Sequence, residues 1–139
     1  CLVGSEMCIR DRFKIVHQVV PALWCIAKAE AHCHLSAYAA QHGLDESLFK
    51  AILRKLDFAR VQFEKDMADF SAGQKKKVLL ARSLCEPSHL LVWDEPLNYV
   101  DVLSRMQIED LLLEFQPTIV FVEHDRVFCD HVATKAVML

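Results

Sequence analysis

Short apolar runs alternate with longer periodic stretches in the second half of the chain. Leu90–Trp93 is a continuous apolar run, which is typical of a strand buried on both faces, and Thr118–Val122 and Ala136–Leu139 are further predicted strands. Between them, residues 125–131 and Leu103–Phe115 have helical composition and spacing, and the second of these helices is expected to bury Met106, Ile108, Leu111, Leu112 and Phe115. Because strands alternate with helices, the pattern predicts an α/β fold with a mostly parallel sheet and flanking helices.

The stretch before Leu90 has a helical pattern. Asp45 or a neighbour is expected to cap a helix that buries one face, made of Leu48, Phe49, Ile52, Leu53 and Leu56. Residues 60–69 are predicted to form a short loop or helix. Ser71 is a good N-cap for a helix from Gln74 to about Leu84, with a buried stripe of Val78, Leu79, Ala81 and Leu84.

Composition adds little beyond a globular chain. The 139 residues are 53% hydrophobic and carry a net charge of -3, which argues against a surface that coats nucleic acid. The six cysteines form no C-x-x-C pair and are interpreted as reduced thiols of a cytoplasmic protein. The apolar stretch 13–33 is too short and too interrupted to span a membrane, so no direct membrane insertion is expected.

Polar, titratable residues follow both internal strands. Asp94 and Glu95 end the first, and Glu123-His124-Asp125 ends the second. Carboxylates at the end of parallel strands lie where open α/β sheets place their ligands. One could face a hydrated Mg²⁺ while the other polarises a water for attack on a phosphoryl group. The alternative is that these carboxylates only cap a following helix.

The segment Phe70-Ser71-Ala72-Gly73-Gln74 also has two interpretations. A helix N-terminus with a glycine could bind an anion such as a γ-phosphate. Ser71 and Gln74 alone would form an ordinary S-x-x-Q capping box. Neither segment decides the chemistry on its own.

Taken together, four ordered motifs resemble ATP-binding cassette (ABC) ATPases. Phe70–Gln74 resembles their signature motif, Leu90–Glu95 the Walker B strand, Pro96–Asp101 the D-loop, and His124 the switch histidine. The resemblance extends from about Leu44 to the end of the chain. It implies the C-terminal part of a P-loop-type ABC cassette, with part of the helical subdomain that carries the signature.

The resemblance also implies roles for these residues, with ATP and Mg²⁺ as cofactors. Asp94 would hold the metal through water, Glu95 would be the general base, and His124 would contact the γ-phosphate on its own cassette. The remaining nucleotide-binding residues would be those of the signature and the D-loop, Ser71, Ala72, Gly73, Gln74 and Asp101. In the family, the signature faces the ATP of a second cassette, which is therefore an expected partner.

Residues around these motifs favour one branch of the family. Transporters usually have Pro-Thr-Ser-Ala-Leu-Asp in the D-loop, whereas Asn98 is more similar to soluble ABC-F proteins, which act on ribosomes. The sequence of residues 44–66 is most similar to one ABC-F branch. That branch confers antibiotic resistance by protecting ribosomes against lincosamides, streptogramin A and pleuromutilins. The alternatives are the ATPase subunit of a membrane ABC transporter and an inactive truncated fragment.

The lysine run 75–77 is interpreted mainly as a solvated helix face, with ribosomal RNA phosphates as the alternative partner. The sequence contains no G-x-x-x-x-G-K-S/T loop, and we expect a Walker A segment upstream of residues 35–139, the partial nucleotide-binding domain. On this interpretation the chain alone neither binds ATP well nor hydrolyses it.

The first 34 residues are interpreted separately. Residues 1–12 resemble translated sequencing-adapter DNA and are excluded from the fold. Residues 13–34 are interpreted as partly out of frame or foreign. Gln18 is the upstream candidate for the Q-loop glutamine, although it lies far from Ser71 and lacks the expected neighbours.

Overall fold

A four-stranded sheet lies at the centre of the fold. The computed structural model describes residues 2–3, 15–18 and 33–137. In these residues the strands are β1 (Leu2–Val3), β2 (Ile15–Gln18), β3 (Leu90–Asp94) and β4 (Ile119–Val122), in the spatial order β1-β4-β3-β2.

The strand directions determine where the polar ends meet. β3 pairs in parallel with β2 and with β4, and Asp94 lies opposite Val122. β1 pairs with β4 in antiparallel orientation. The predicted α/β class with a mostly parallel sheet is therefore confirmed. Because β3 and β4 run in the same direction, the residues that follow them come to one edge of the sheet.

Three of the described helices precede β3 in the chain and form a helical region, and two follow it. They are α1 (Leu35–Gln41), α2 (Glu46–Lys55), α3 (Ala72–Cys85), α4 (Val102–Phe115) and α5 (Arg126–Val132), with 3-10 turns at Arg60–Glu64 and Met67–Asp69. Each predicted helix is present with its ends shifted by at most two residues. No helix in these described ranges combines the length and apolar character needed to cross a membrane.

Side-chain caps explain why four of these helices begin where they do. Asp45 accepts a hydrogen bond from the N–H of Leu48, and Ser71 accepts from Gln74. Asp101 and Asp125 cap α4 and α5 in the same way. Each cap pairs an N–H of the first turn that has no partner inside its helix.

The core joins the helical region to the sheet. Its largest fully buried side chains are Trp93, Tyr38, Phe49, Phe121, Phe128, Leu35, Ile52, Leu53, Leu56, Met67 and Leu97. Burial along β3 alternates, since Leu91 and Trp93 are buried while Leu90 and Val92 are half-buried. The prediction that this strand is buried on both faces is therefore wrong: successive side chains point to opposite faces, and only one is fully covered.

Some apolar residues are more exposed than predicted. Leu48 and Phe115, in the first turn of α2 and at the last residue of α4, are exposed, and Leu84 is only half-buried. Met106 is exposed because it lies off the stripe formed by Ile108, Leu111 and Leu112. Residues 136 and 137 form no strand, and the rest of the predicted strand 136–139 lies outside the described residues.

Candidate functional site

Glu95 lies in a sharp turn at the carboxyl edge of the sheet. Its N–H donates to the Val122 carbonyl oxygen at 2.9 Å, extending the β3–β4 pairing by one residue. Its φ is 47°, in the left-handed region that residues other than glycine seldom adopt. The chain then turns back, and the N–H of Asn98 donates to the Glu95 carbonyl oxygen at 3.2 Å. This turn directs the Glu95 side chain out of the strand.

The predicted catalytic residues come together at this turn. His124 Nε2 lies 3.5 Å from Glu95 Oε1, and the two side chains are 85% and 35% exposed. The other Glu95 carboxylate oxygen, Oε2, accepts a hydrogen bond from the side chain of Asn98. Asp94 is half-buried and adjacent, at the last position of β3. Glu95 and His124 therefore face a common, solvent-accessible point.

The donor chemistry of this edge is compatible with Mg²⁺. Within the described residues, no group of three or more His, Cys, Asp or Glu side chains is arranged to hold a metal on its own. Mg²⁺ usually takes only one or two carboxylates and completes its shell with waters and substrate phosphates. Asp94 supplies the oxygen ligand that such a site requires.

Glu123 has a structural position that the sequence did not indicate. Its Oε2 accepts from the N–H of Leu97 at 3.1 Å, and its Oε1 accepts from the N–H groups of His124 at 2.8 Å and Asp125 at 3.4 Å. One carboxylate thus joins the turn that follows β3 to the segment that follows β4. Glu123 directly precedes His124 in the sequence, but its contact with Leu97 spans 26 residues and has no local signal.

The lysine run on α3 is mostly buried. Lys76 is 6% exposed, and its Nζ donates to the Glu95 carbonyl oxygen at 3.1 Å. Lys77 is also buried, and its Nζ donates to the Leu56 carbonyl oxygen at 2.7 Å, at the end of α2. The predicted solvated face is therefore wrong for both residues. Consecutive helical positions are about 100° apart, so three in a row cannot share one face.

Burial lowers the pKa of Lys76. Removal from water lowers the pKa of its amine, and the carboxylates of Glu123, Asp94 and Glu95 oppose that shift. The amine thus feels the charges of the candidate site's carboxylates and donates to the backbone carbonyl oxygen of Glu95.

The signature segment forms the capping box that was the simpler interpretation. Gln74 N–H donates to Ser71 Oγ at 3.2 Å, and Ser71 N–H donates to Gln74 Oε1 at 2.9 Å. Ala72 and Gly73 form the first helical turn, whose N–H groups have no partner inside a helix. The capping box is therefore compatible with an anion at this end of α3.

The D-loop turn lies directly against Gly73. A Cβ atom at Gly73 would lie 2.8 Å from the Tyr99 carbonyl oxygen, closer than real Cβ contacts. Tyr99 itself has a φ of 65°. A cavity of about 350 Å³ opens here, and Ser71, Gly73, Gln74, Tyr99 and Asp101 contribute to its lining. Four of the five predicted signature and D-loop residues therefore share one surface, and Ala72 lies beside it.

Asp101 is bound within its own helix. Its Oδ1 accepts from the N–H of Ser104 at 2.9 Å, and its Oδ2 accepts from the Ser104 hydroxyl at 2.6 Å. These hydrogen bonds, with the nearby charge of Lys77, hold the pKa of Asp101 below its ordinary value. The observed contacts make Asp101 a helix cap, and its contact with a nucleotide stays a prediction.

The backbone of Gln18 ends β2 on the same edge of the sheet. It lies opposite Trp93 in the parallel pairing, one residue before Asp94. Its assignment to the Q-loop stays a prediction.

Comparisons with known proteins agree with this arrangement. A family model described as "ABC transporter" matches residues 5–98. The ATP-binding protein Uup of Caulobacter vibrioides is 38% identical over 82 residues, 59% of this chain and 14% of that protein. The ATP-binding protein Uup of Haemophilus influenzae is 42% identical over 65 residues, 47% of this chain and 10% of that protein. The chain thus spans between a tenth and a seventh of these relatives.

Solved structures support the fold. A complex of the archaeal ribosomal stalk protein aP1 with the archaeal ribosome recycling factor aABCE1 aligns with a TM-score of 0.63 at 21% identity, covering 92% of this chain and 25% of that chain. The dimeric post-hydrolysis state of the ATP-binding cassette MJ0796, bound to ADP and Pi, aligns with a TM-score of 0.51 at 20% identity, covering 63% of this chain and 39% of that chain. Since the family match covers more than half of the chain, the protein belongs to the ABC transporter family and is homologous to ABC-F-type ATP-binding proteins.

Proposed function

We propose that this chain supplies the Walker B, signature, D-loop and switch elements of an ABC-F ATPase that acts on the ribosome in antibiotic resistance. The observation that carries the proposal is the pairing of Glu95 with His124 beside Asp94. Three groups suited to phosphoryl transfer from MgATP thus lie at one edge of the sheet.

Each residue of this edge has a separate task in the proposal. Asp94 would hold Mg²⁺, which would neutralise charge on the phosphates. Glu95 orients and polarises the attacking water, since one of its oxygens faces His124 while Asn98 holds the other. His124 is exposed beside Glu95 and would donate to the γ-phosphate oxygens.

A second cassette completes the site in this proposal. Ser71, Ala72, Gly73 and Gln74 lie at the exposed start of α3 and would meet the ATP held by that second cassette. The shared surface of the signature and Asp101 supports one docking face for both motifs. Two cassettes that close on ATP would then hydrolyse it through positioning and charge stabilisation.

The ABC-F assignment rests on the relatives and on Asn98. The two Uup proteins are similar to this chain over 82 and 65 residues. Asn98 donates to the Glu95 carboxylate, so the residue that separates ABC-F from transporter D-loops touches the proposed catalytic group. We place the protein in the cytoplasm, with the ribosome as its partner. Protection against lincosamides, streptogramin A and pleuromutilins is the proposed outcome.

The test of the chemistry is Glu95→Gln in the protein expressed from the complete coding sequence of the source locus. Glu114→Gln is the matched control, because Glu114 is an exposed carboxylate that pairs with Lys55 on another surface. Phosphate release should fall by at least about 100-fold in Glu95→Gln, which is the lower end of the effect expected when a general base is lost. ATP binding should be retained. The control should keep both. Equal turnover in the two variants would contradict the assignment of Glu95.

The ribosome is tested with the same variant. Glu95→Gln should retain ATP and sediment with purified ribosomes when ATP is present, and should stay in solution without it. Expression of the unchanged protein should raise the inhibitory concentrations of the three drug classes. Binding to membrane vesicles in place of ribosomes would favour the transporter alternative, and absence of ATP binding would favour the inactive fragment.

A further inference from the structure

Two charged residues lie directly behind the Glu95–His124 pair. Lys76 reaches it from α3, the helix that begins at the signature, and Glu123 reaches it from the end of β4. Neither is among the residues to which the family resemblance gives a role. Lys76 donates to the Glu95 carbonyl oxygen, and Glu123 accepts from the N–H groups of Leu97 and His124, one in each of the two segments.

The turn at Glu95 needs such support. A left-handed φ at a residue other than glycine persists only where surrounding contacts impose it. Here the N–H of Glu95 is bonded to Val122, and its carbonyl oxygen accepts from both the Asn98 N–H and the Lys76 amine. Lys76 is the one of these partners that comes from outside the sheet and its turn.

Glu123 supports the second half of the pair. Its carboxylate accepts the N–H of Leu97, two residues after Glu95, and the N–H of His124 itself. Hydrogen bonds to a charged acceptor are stronger than neutral ones. The two loops are therefore held by the same carboxylate, which fixes the separation between the Glu95 and His124 side chains.

We propose that Lys76 and Glu123 are positioning residues that fix Glu95 and His124 in one geometry, and that Lys76 couples the signature helix to Glu95 of the same cassette. The catalytic importance of this geometry rests on the proposed function, whereas the geometry itself can be tested separately. The electrostatics support it, since burial of the Lys76 amine is unfavourable and is offset by the carboxylates of Glu123, Asp94 and Glu95. If the Lys76 side chain only filled space, an apolar side chain of the same length would serve equally well.

The experiment uses nuclear magnetic resonance of the isotope-labelled chain. Lys76→Met removes the amine and keeps the length of the side chain, whereas Lys76→Arg keeps a donor. Lys75→Met is the matched control, because Lys75 is on the same helix and its Nζ lies 3.5 Å from the Ala68 carbonyl oxygen, away from Glu95. The readout is the nuclear Overhauser contact between the His124 ring and the Glu95 side chain. It should be lost in Lys76→Met and kept in Lys76→Arg and Lys75→Met.

Glu123→Gln gives an independent measurement that does not depend on how Lys76→Met folds. An amide has one acceptor oxygen, so it cannot accept all the N–H groups that Glu123 accepts. Hydrogen exchange of the Leu97 or His124 N–H should accelerate by at least about tenfold, the factor that corresponds to about 1.4 kcal/mol. The Glu95 N–H, which is bonded to Val122, serves as the internal reference.

Three results would overturn the inference. The first is a His124–Glu95 contact that survives in folded Lys76→Met. The second is a Lys75→Met variant that loses this contact to the same extent as Lys76→Met. The third is unchanged hydrogen exchange of both the Leu97 and the His124 N–H groups in Glu123→Gln. Mn²⁺ with ATP, added to the protein expressed from the complete coding sequence, tests the proposed function separately through paramagnetic broadening at Asp94. Missing broadening with an intact variant series would contradict the metal site and leave the positioning role in place.

Discussion

Gly73→Ala adds one methyl group at the closest approach between the signature helix and the D-loop. The new Cβ would lie 2.8 Å from the Tyr99 carbonyl oxygen. That oxygen belongs to the backbone, so no side-chain rotation can relieve the overlap. Tyr99 is itself held at a φ of 65°, which leaves the carbonyl little freedom to move.

Two opposing effects determine the magnitude. Alanine is favoured over glycine inside a helix by about 1 kcal/mol, which would stabilise α3. Overpacking that forces a backbone shift costs about 1–3 kcal/mol. Since the contact is well inside the normal limit, the upper part of that range applies. The net expectation is a loss of about 1–2 kcal/mol in the free energy of unfolding.

Urea-induced unfolding of the chain, with and without Tyr99→Gly, measures this effect. Glycine at position 99 lets the carbonyl move, so Gly73→Ala should cost less in that background, and the double-mutant cycle gives the coupling. Gly43→Ala is the control, because Gly43 has a φ of 63° but no atom within 4 Å of a new Cβ. Its cost should be the same in both backgrounds. A Gly73→Ala variant as stable as the unchanged chain would refute the close contact.

The remaining predictions concern buried or capped groups. Ser83→Ala leaves the buried Trp93 indole N–H, now 3.2 Å from Ser83 Oγ, without its acceptor and should cost about 1–3 kcal/mol in urea unfolding. Asp101→Asn keeps a capping acceptor but cannot titrate, so it should flatten the loss of stability below pH 3.8. Burial raises the pKa of Cys85 to about 11, and urea should accelerate its alkylation at pH 8, measured by mass spectrometry, by about 100-fold.

Each of these predictions has a result that would contradict it. If the hydrogen bond between Trp93 and Ser83 were absent, Ser83→Ala would lose no more stability in urea than Ser88→Ala, a substitution outside the core. Hydrogen bonds lower the folded pKa of Asp101, so its stabilising contribution is complete above 3.8 and disappears as the pH falls through the lower folded value. Parallel acid curves for the two proteins would contradict that sign. Equal alkylation of Cys85 with and without urea would contradict its burial.

Local signals in the sequence were sufficient for β3, β4 and helices α2 to α5, and for the caps of α2 and α3, whereas α1 was not predicted and residues 136 and 137 form no strand. A cap joins residues two or three positions apart, as Asp45 does with Leu48, so its chemistry is visible in a short window. The order of strands and helices likewise predicted the parallel pairing of β3 with β4. The carboxyl-edge location of Asp94, Glu95 and His124 followed from that pairing.

Contacts between distant segments could not be predicted in this way. Lys76 meets Glu95 across 19 residues and Glu123 meets Leu97 across 26. A run of lysines has the same composition whether its amines are in water or bonded to buried carbonyl groups. Only the packing of α3 distinguishes the two, which is why the solvated interpretation was wrong for Lys76 and Lys77.

The two contacts between α3 and the turn after β3 are made by the same face of the helix. Gly73 and Lys76 are three residues apart, so they lie on one face of the helix. At Tyr99 the turn comes so close that this face has room only for a hydrogen atom, whereas at Glu95 a long amine reaches the carbonyl oxygen. A shift of the signature helix would therefore displace Tyr99 by direct contact and Glu95 through the Lys76 hydrogen bond. His124 would follow through its own contact with Glu95 and through Glu123, whose carboxylate is bonded to both Leu97 and His124, so the catalytic edge is expected to move as a unit.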